Sequence, residues 1–183
     1  MIDFRNIVSD FCRKNNIKIE LSIEMPVGYE TANGTFDIAK NTLFFNSTML
    51  AQAPDYESLF YLFHELRHVQ QYKCPQLFTE TIKRSLNYVL MYDGTCFKMM
   101  NGIWKEYKLE GTEEYLTDAY MGQPYEMDAN NYAYGQVEKI CGSSKELDKL
   151  YSFWVPQKKL SDDEYMKIYK IIDSGINAIK TVN

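Results

Sequence analysis

Histidine is scarce in this chain. Only two occur in 183 residues, His64 and His68, which excludes a three-histidine metal site and makes the placement of the pair informative. Cysteine is nearly as thin: Cys12, Cys74, Cys96 and Cys141 stand far apart with no CxxC pair, so neither a thiolate zinc site nor a dithiol redox motif is encoded. Four thiols would permit two disulfides by parity. The amino terminus MIDFRNIVSDFCRKNN, however, carries charges throughout and lacks the apolar core and small-residue cleavage site of a secretory signal. The expectation is a cytoplasmic protein with reduced thiols. Basic residues are outnumbered, 20 Lys and Arg against 25 Asp and Glu for a net charge of -5, which argues against nucleic acid as a partner, because phosphate binders need clustered cations. No run approaches the roughly 18 apolar residues that span a bilayer, so no membrane association is expected.

What is present fits one core. A chain of this length, 45% hydrophobic, buries one sizeable interior, and residues 1–183 read as a single domain. Phe4, Ile7, Val8 and Phe11 recur at helical spacing over Asp3 to Asn15. Ile17, Ile19, Leu21 and Ile23 then alternate with polar residues, the period of a half-buried strand. Gly34 to Asp37 and Thr42 to Asn46 read as two short strands around a turn at Ala39 to Asn41, completing a small antiparallel sheet. From Pro54 the period changes. Leu59, Leu62, Phe63, Leu66 and Val69 mark a helix to about Tyr72, with Asp55 placed as its amino-terminal cap. Spacing favours another helix over about Thr79 to Met91, after which Gly94, Gly102 and Gly111 interrupt the signal. A further helix opens at Pro124 and runs to about Ile140. The last begins at Ser161, where SDDE forms a capping box with Glu164. The fold class is α+β, mostly helical.

The chemistry lies in HELRH, residues His64 to His68, in the middle of the strongest helical pattern. This is an HExxH motif. Positions four apart on a helix lie about 40° apart on one face, with β-carbons about 6 Å apart, so two imidazoles reach one zinc ion. Glu65 points about a quarter-turn away, where its carboxylate can act as general base on an activated water. Without a third histidine, the remaining ligand is a carboxylate or, less favourably, a cysteine. Glu126 in QPYEMDANNYA is the best placed and Asp128 the alternative. Glu126 and Asn130 are four apart and share a face, whereas Asp128 points elsewhere; Asn130 is thereby placed to orient a ligating imidazole. On this reading Glu126→Ala weakens zinc binding at least about tenfold and Asp128→Ala changes it little. Tyr120, Tyr125, Tyr132 and Tyr134 lie nearest in sequence as oxyanion partners, with none preferred.

HExxH followed by a second helix reading ExxAN resembles the ImmA/IrrE-type metallopeptidases within the glutamate-zincin group. The matching residues are His64, Glu65 and His68, then Glu126, Asp128, Ala129, Asn130, Tyr132 and Ala133. The resemblance implies a zincin-like fold, a single zinc ion held by His64, His68 and Glu126, and hydrolysis of a protein or peptide substrate aligned along an edge strand. Three features depart from that family. About forty residues from Leu77, roughly 77–118, lengthen the interval between the two motif helices and read as an insertion. No Met-Pro ending follows Ala133, and Arg67 stands where a small residue is common. The alternative from another class is a catalytically inactive, metal-binding regulatory or interaction protein on the same scaffold; an intact Glu65 argues against it, since a purely structural zinc site needs no base.

Overall fold

The structure is a computed structural model that describes residues 2–180. Its elements run α1 (Phe4–Asn15), β1 (Glu20–Ser22), β2 (Gly34–Asp37), β3 (Thr42–Phe45), α2 (Asp55–Lys73), α3 (Glu80–Ser85), β4 (Tyr88–Leu90), β5 (Thr95–Met100), β6 (Ile103–Lys108), α4 (Glu113–Met121), α5 (Pro124–Cys141), α6 (Lys145–Phe153) and α7 (Asp162–Lys180). The fold class is α+β. The chain divides into two compact units. The first runs to Leu77 and resumes over Asp128–Phe153, and the second takes Phe78–Met127 and resumes at Trp154. The segment read as an insertion, 77–118, falls from Phe78 onward in the second unit, together with α7.

In the first unit α1 begins where Asp3 accepts a hydrogen bond from the Asn6 N–H and ends at Asn16, which takes the left-handed conformation. The three strands lie in the order β1-β3-β2. β2 and β3 form the expected hairpin, with Asn41 at φ 54 in its turn. The small antiparallel sheet expected before the HExxH helix is corrected at one pair: β1 runs parallel to β3, so the sheet is mixed. Alternation of side chains sets which face is buried but carries no strand direction. The segment between β1 and β3, which includes β2, carries the chain back to start β3 in the same sense as β1. Leu43 and Phe45 of β3 have no exposed surface, α2 packs against this sheet, and Leu59, Leu62, Leu66 and Val69 of α2 are buried. Each such side chain contributes roughly 1.5–3 kcal/mol by leaving water. Asp55 is the first residue of α2 and not its cap. Pro54 holds the cap position without a side-chain hydrogen bond, and Asp55 instead places its charge beside the helix's unpaired N–H groups.

The second unit corrects the expected helix over about Thr79 to Met91. Only Glu80–Ser85 is helical, capped by Thr79, and Tyr88–Leu90 is the first strand of the antiparallel meander β4-β5-β6. Aromatic and β-branched Tyr88 and Val89 favour the pleated surface once the helix has ended. Asn101 and Gly102, with φ 52 and φ 78, close the β5–β6 hairpin as a two-residue turn that needs positive φ at both positions. Ile168, Ile172 and Ile176 form a buried stripe along α7 and pack with Leu90, Cys96 and Leu116. Desolvation pushes the Cys96 thiol up to about 11. The expected capping box holds: the Ser161 N–H donates to Glu164 at 2.7 Å and the Glu164 N–H donates to the Ser161 hydroxyl at 3.3 Å.

Gly175 of α7 faces Tyr107 of β6, and a β-carbon there would stand 1.9 Å from a ring carbon. Helix propensity alone would favour alanine by about 1 kcal/mol, but overpacking costs about 1–3 kcal/mol and here displaces a ring. Gly175→Ala is therefore expected to lower stability by up to about 2 kcal/mol in a denaturant titration. A gain would show that Tyr107 swings aside freely.

All four cysteines are free. Among the described residues no helix is long and apolar enough to cross a membrane.

Candidate metal centre

The site is built on two helices. HELRH occupies the middle of α2, where ten residues from Ser58 to Gln71 are buried, so the helix has little freedom to shift. His68 is buried and His64 and Glu65 are partly exposed. Helix α5 runs unbroken from Pro124 to Cys141 across the boundary at Asp128, and its own turn geometry sets Glu126 one turn before Asn130 on the same face.

The imidazoles converge. Their Nε2 atoms lie 2.9 Å apart, and the ligand atoms of His64, His68 and Glu126 all fall within 4.8 Å of one another. Among the described residues this is the only group of three or more such donors at that closeness. The outer nitrogens decide what the inner ones hold. The His64 Nδ1 donates to Asn130 Oδ1 at 2.8 Å, and the His68 Nδ1 donates to Gln71 Oε1 at 2.8 Å. An amide oxygen can only accept, and a neutral imidazole has one N–H. With both protons at Nδ1, two Nε2 lone pairs face each other at a separation that is repulsive unless a cation lies between them. Two imidazole nitrogens and one carboxylate make a donor set suited to zinc.

Asp128 is no part of this group. Its carboxylate accepts from Arg67 Nε at 2.8 Å and Nη2 at 3.0 Å, and from Gln71 Nε2 at 2.8 Å. Arg67, which departs from the small residue common at this point of the motif, also lies 4.8 Å over the Tyr132 ring and donates to Gln70 Oε1. Burial raises the Tyr132 pKa, with the Arg67 charge opposing the shift. Of the tyrosines nearest in sequence, Tyr134 donates to Asp148 at 2.7 Å and Tyr132 packs edge-on against Phe63.

Two residues escape a sequence reading. Gln71, fully buried, sits three positions after His68 and so shares its face, which is the signal that could have found it. Gly34 opens β2, where a β-carbon would lie 2.8 Å from Glu65 Cγ and 3.4 Å from its Cδ. The missing side chain admits the Glu65 carboxyl against the sheet. In the order β1-β3-β2 this strand is an edge.

Comparison with protein-family profiles, with curated proteins and with solved structures finds no match for this chain.

Proposed function

We propose that this protein is a zinc-dependent peptidase with a zincin-like site, acting in the cytoplasm on a protein or peptide substrate. The observation that carries the reading is the pair of imidazole Nε2 atoms 2.9 Å apart, with Glu126 completing a three-donor group and Glu65 lying outside it. His64, His68 and Glu126 would hold the ion. Zinc at such a site supplies a Lewis acid that acidifies water and polarises a carbonyl. Glu65 accepts the proton of the attacking water as its oxygen bonds to the peptide carbonyl carbon. Glu65 then returns that proton to the nitrogen as the C–N bond breaks, so the leaving group departs as a neutral amine. β2, an edge strand beside Glu65, offers backbone groups that would align an extended peptide. The likeness of HELRH and EMDANNYA to the ImmA/IrrE-type metallopeptidases agrees with this role.

Metal content tests the reading while the substrate is still unidentified. Elemental analysis of the purified protein is expected to give about one zinc per chain, lost in His64→Ala, with affinity at least about tenfold weaker in Glu126→Ala. Wild-type protein that takes up no metal after incubation with zinc would sink the proposal.

A further inference from the structure

We infer that Asp128, clamped by Arg67, sets the tautomer of His68 through the amide of Gln71, and that these three are positioning residues for the metal-binding nitrogen. The inference rests on the metal-site reading above, and it replaces the expectation that Asp128 has little bearing on zinc affinity.

Each link in the chain leaves one choice. Arg67 has only donors, and two of its N–H groups grip the two Asp128 oxygens at 2.8 and 3.0 Å. A carboxylate so held can only accept. The Gln71 amide must therefore turn its NH₂ toward Asp128, which it meets at 2.8 Å, and its oxygen toward His68, also at 2.8 Å. Gln71 has no exposed surface, so water does not compete for either end. An accepting oxygen at Nδ1 places the ring proton there and leaves Nε2 bare toward His64. His64 reaches the same tautomer in a single step through Asn130, so the two rings are fixed from different directions.

Removing the acceptor breaks the chain. Arg67 Nε and Gln71 Nε2 donate to the same Asp128 oxygen, Oδ2, so Asp128→Asn can keep its amide oxygen there and preserve the Gln71 orientation, losing only the Arg67 Nη2 contact. In Asp128→Leu no acceptor remains. The Gln71 oxygen is then free to turn toward the donors of Arg67 and its NH₂ toward His68 Nδ1, so the ring proton is no longer held at Nδ1. Adding Gln71→Glu to Asp128→Leu restores an acceptor beside Nδ1 and keeps the net charge of the pair.

The test uses the whole chain, whose two histidines give only two ring systems to assign. Long-range ¹H–¹⁵N correlation spectra of zinc-free protein, taken well above the ordinary histidine pKa, report the tautomers, and competition with a chromophoric chelator reports zinc affinity. Wild type is expected to show Nδ1–H at both rings. Asp128→Leu should cost the His68 ring alone its Nδ1–H preference and weaken zinc about tenfold, Asp128→Asn should keep the wild-type tautomer, and the Asp128→Leu/Gln71→Glu double variant should recover both readouts. Gln71→Leu, which removes the acceptor without adding bulk, should lose the His68 preference by a second route. An unchanged tautomer in both Asp128→Leu and Gln71→Leu overturns the inference, as does a double variant that recovers neither readout. Wild type with Nδ1–H at both rings but no zinc binding would instead overturn the metal reading on which the inference rests.

Discussion

Glu65→Gln is expected to lower kcat/KM for peptide hydrolysis by about 10³-fold while zinc affinity stays within about threefold of wild type. The two amino acids share a shape, and glutamine cannot accept the proton of the attacking water. Affinity is spared because the donor group consists of His64, His68 and Glu126, without Glu65. Cleavage of a peptide library, followed by mass spectrometry, supplies the rate even while the natural substrate is unidentified. The result also separates the peptidase from its rival. A regulatory protein that merely retains zinc has no use for a base beside the ligands, so wild type and Glu65→Gln that both bind zinc and behave alike in every assay would remove the main support for catalysis.

The legible parts of this molecule are those written in local spacing. His64 and His68 share a face because four residues make about one helical turn, and Glu126 and Asn130 share theirs for the same reason. The capping box at Ser161 and Glu164 is equally local, and the structure forms it. The parallel pairing of β1 with β3 depends on how the intervening chain returns, which no residue pattern near β1 records. The meander is a different kind of miss. Asn101-Gly102 is a hairpin turn signal, but Gly94, Gly102 and Gly111 by themselves mark only an interruption, and the direction of the chain emerges when β5 and β6 pair through Met99↔Trp104 and Met100↔Ile103. Arg67 and Asp128 are the least readable. Each reads as an ordinary surface charge in the sequence of its own helix, and their half-buried bidentate pairing appears only when α2 and α5 are brought side by side.

Gly34 offers a way to disturb Glu65 without changing it. A β-carbon at this position meets Glu65 Cγ at 2.8 Å and the Phe44 carbonyl oxygen at 3.1 Å. The carbonyl belongs to β3, which pairs with β2 through Gly34↔Phe45 and Thr35↔Phe44, so it cannot retreat without opening the ladder. The flexible side chain gives way instead. In Gly34→Val the branched side chain pushes the carboxyl of Glu65 off its position, and a displacement of about 1 Å from a reacting proton costs about 10²-fold in kcat/KM. The fold should tolerate the change, because valine suits a strand better than glycine does. Zinc affinity should hold, since Glu65 is outside the donor group and the three atoms nearest a β-carbon at Gly34 belong to Glu65 and Phe44. Loss of activity with zinc and stability retained would place the proton-accepting carboxylate against the edge strand. Full activity in Gly34→Val would mean that Glu65 works from another rotamer and that β2 is too far from the chemistry to align a substrate.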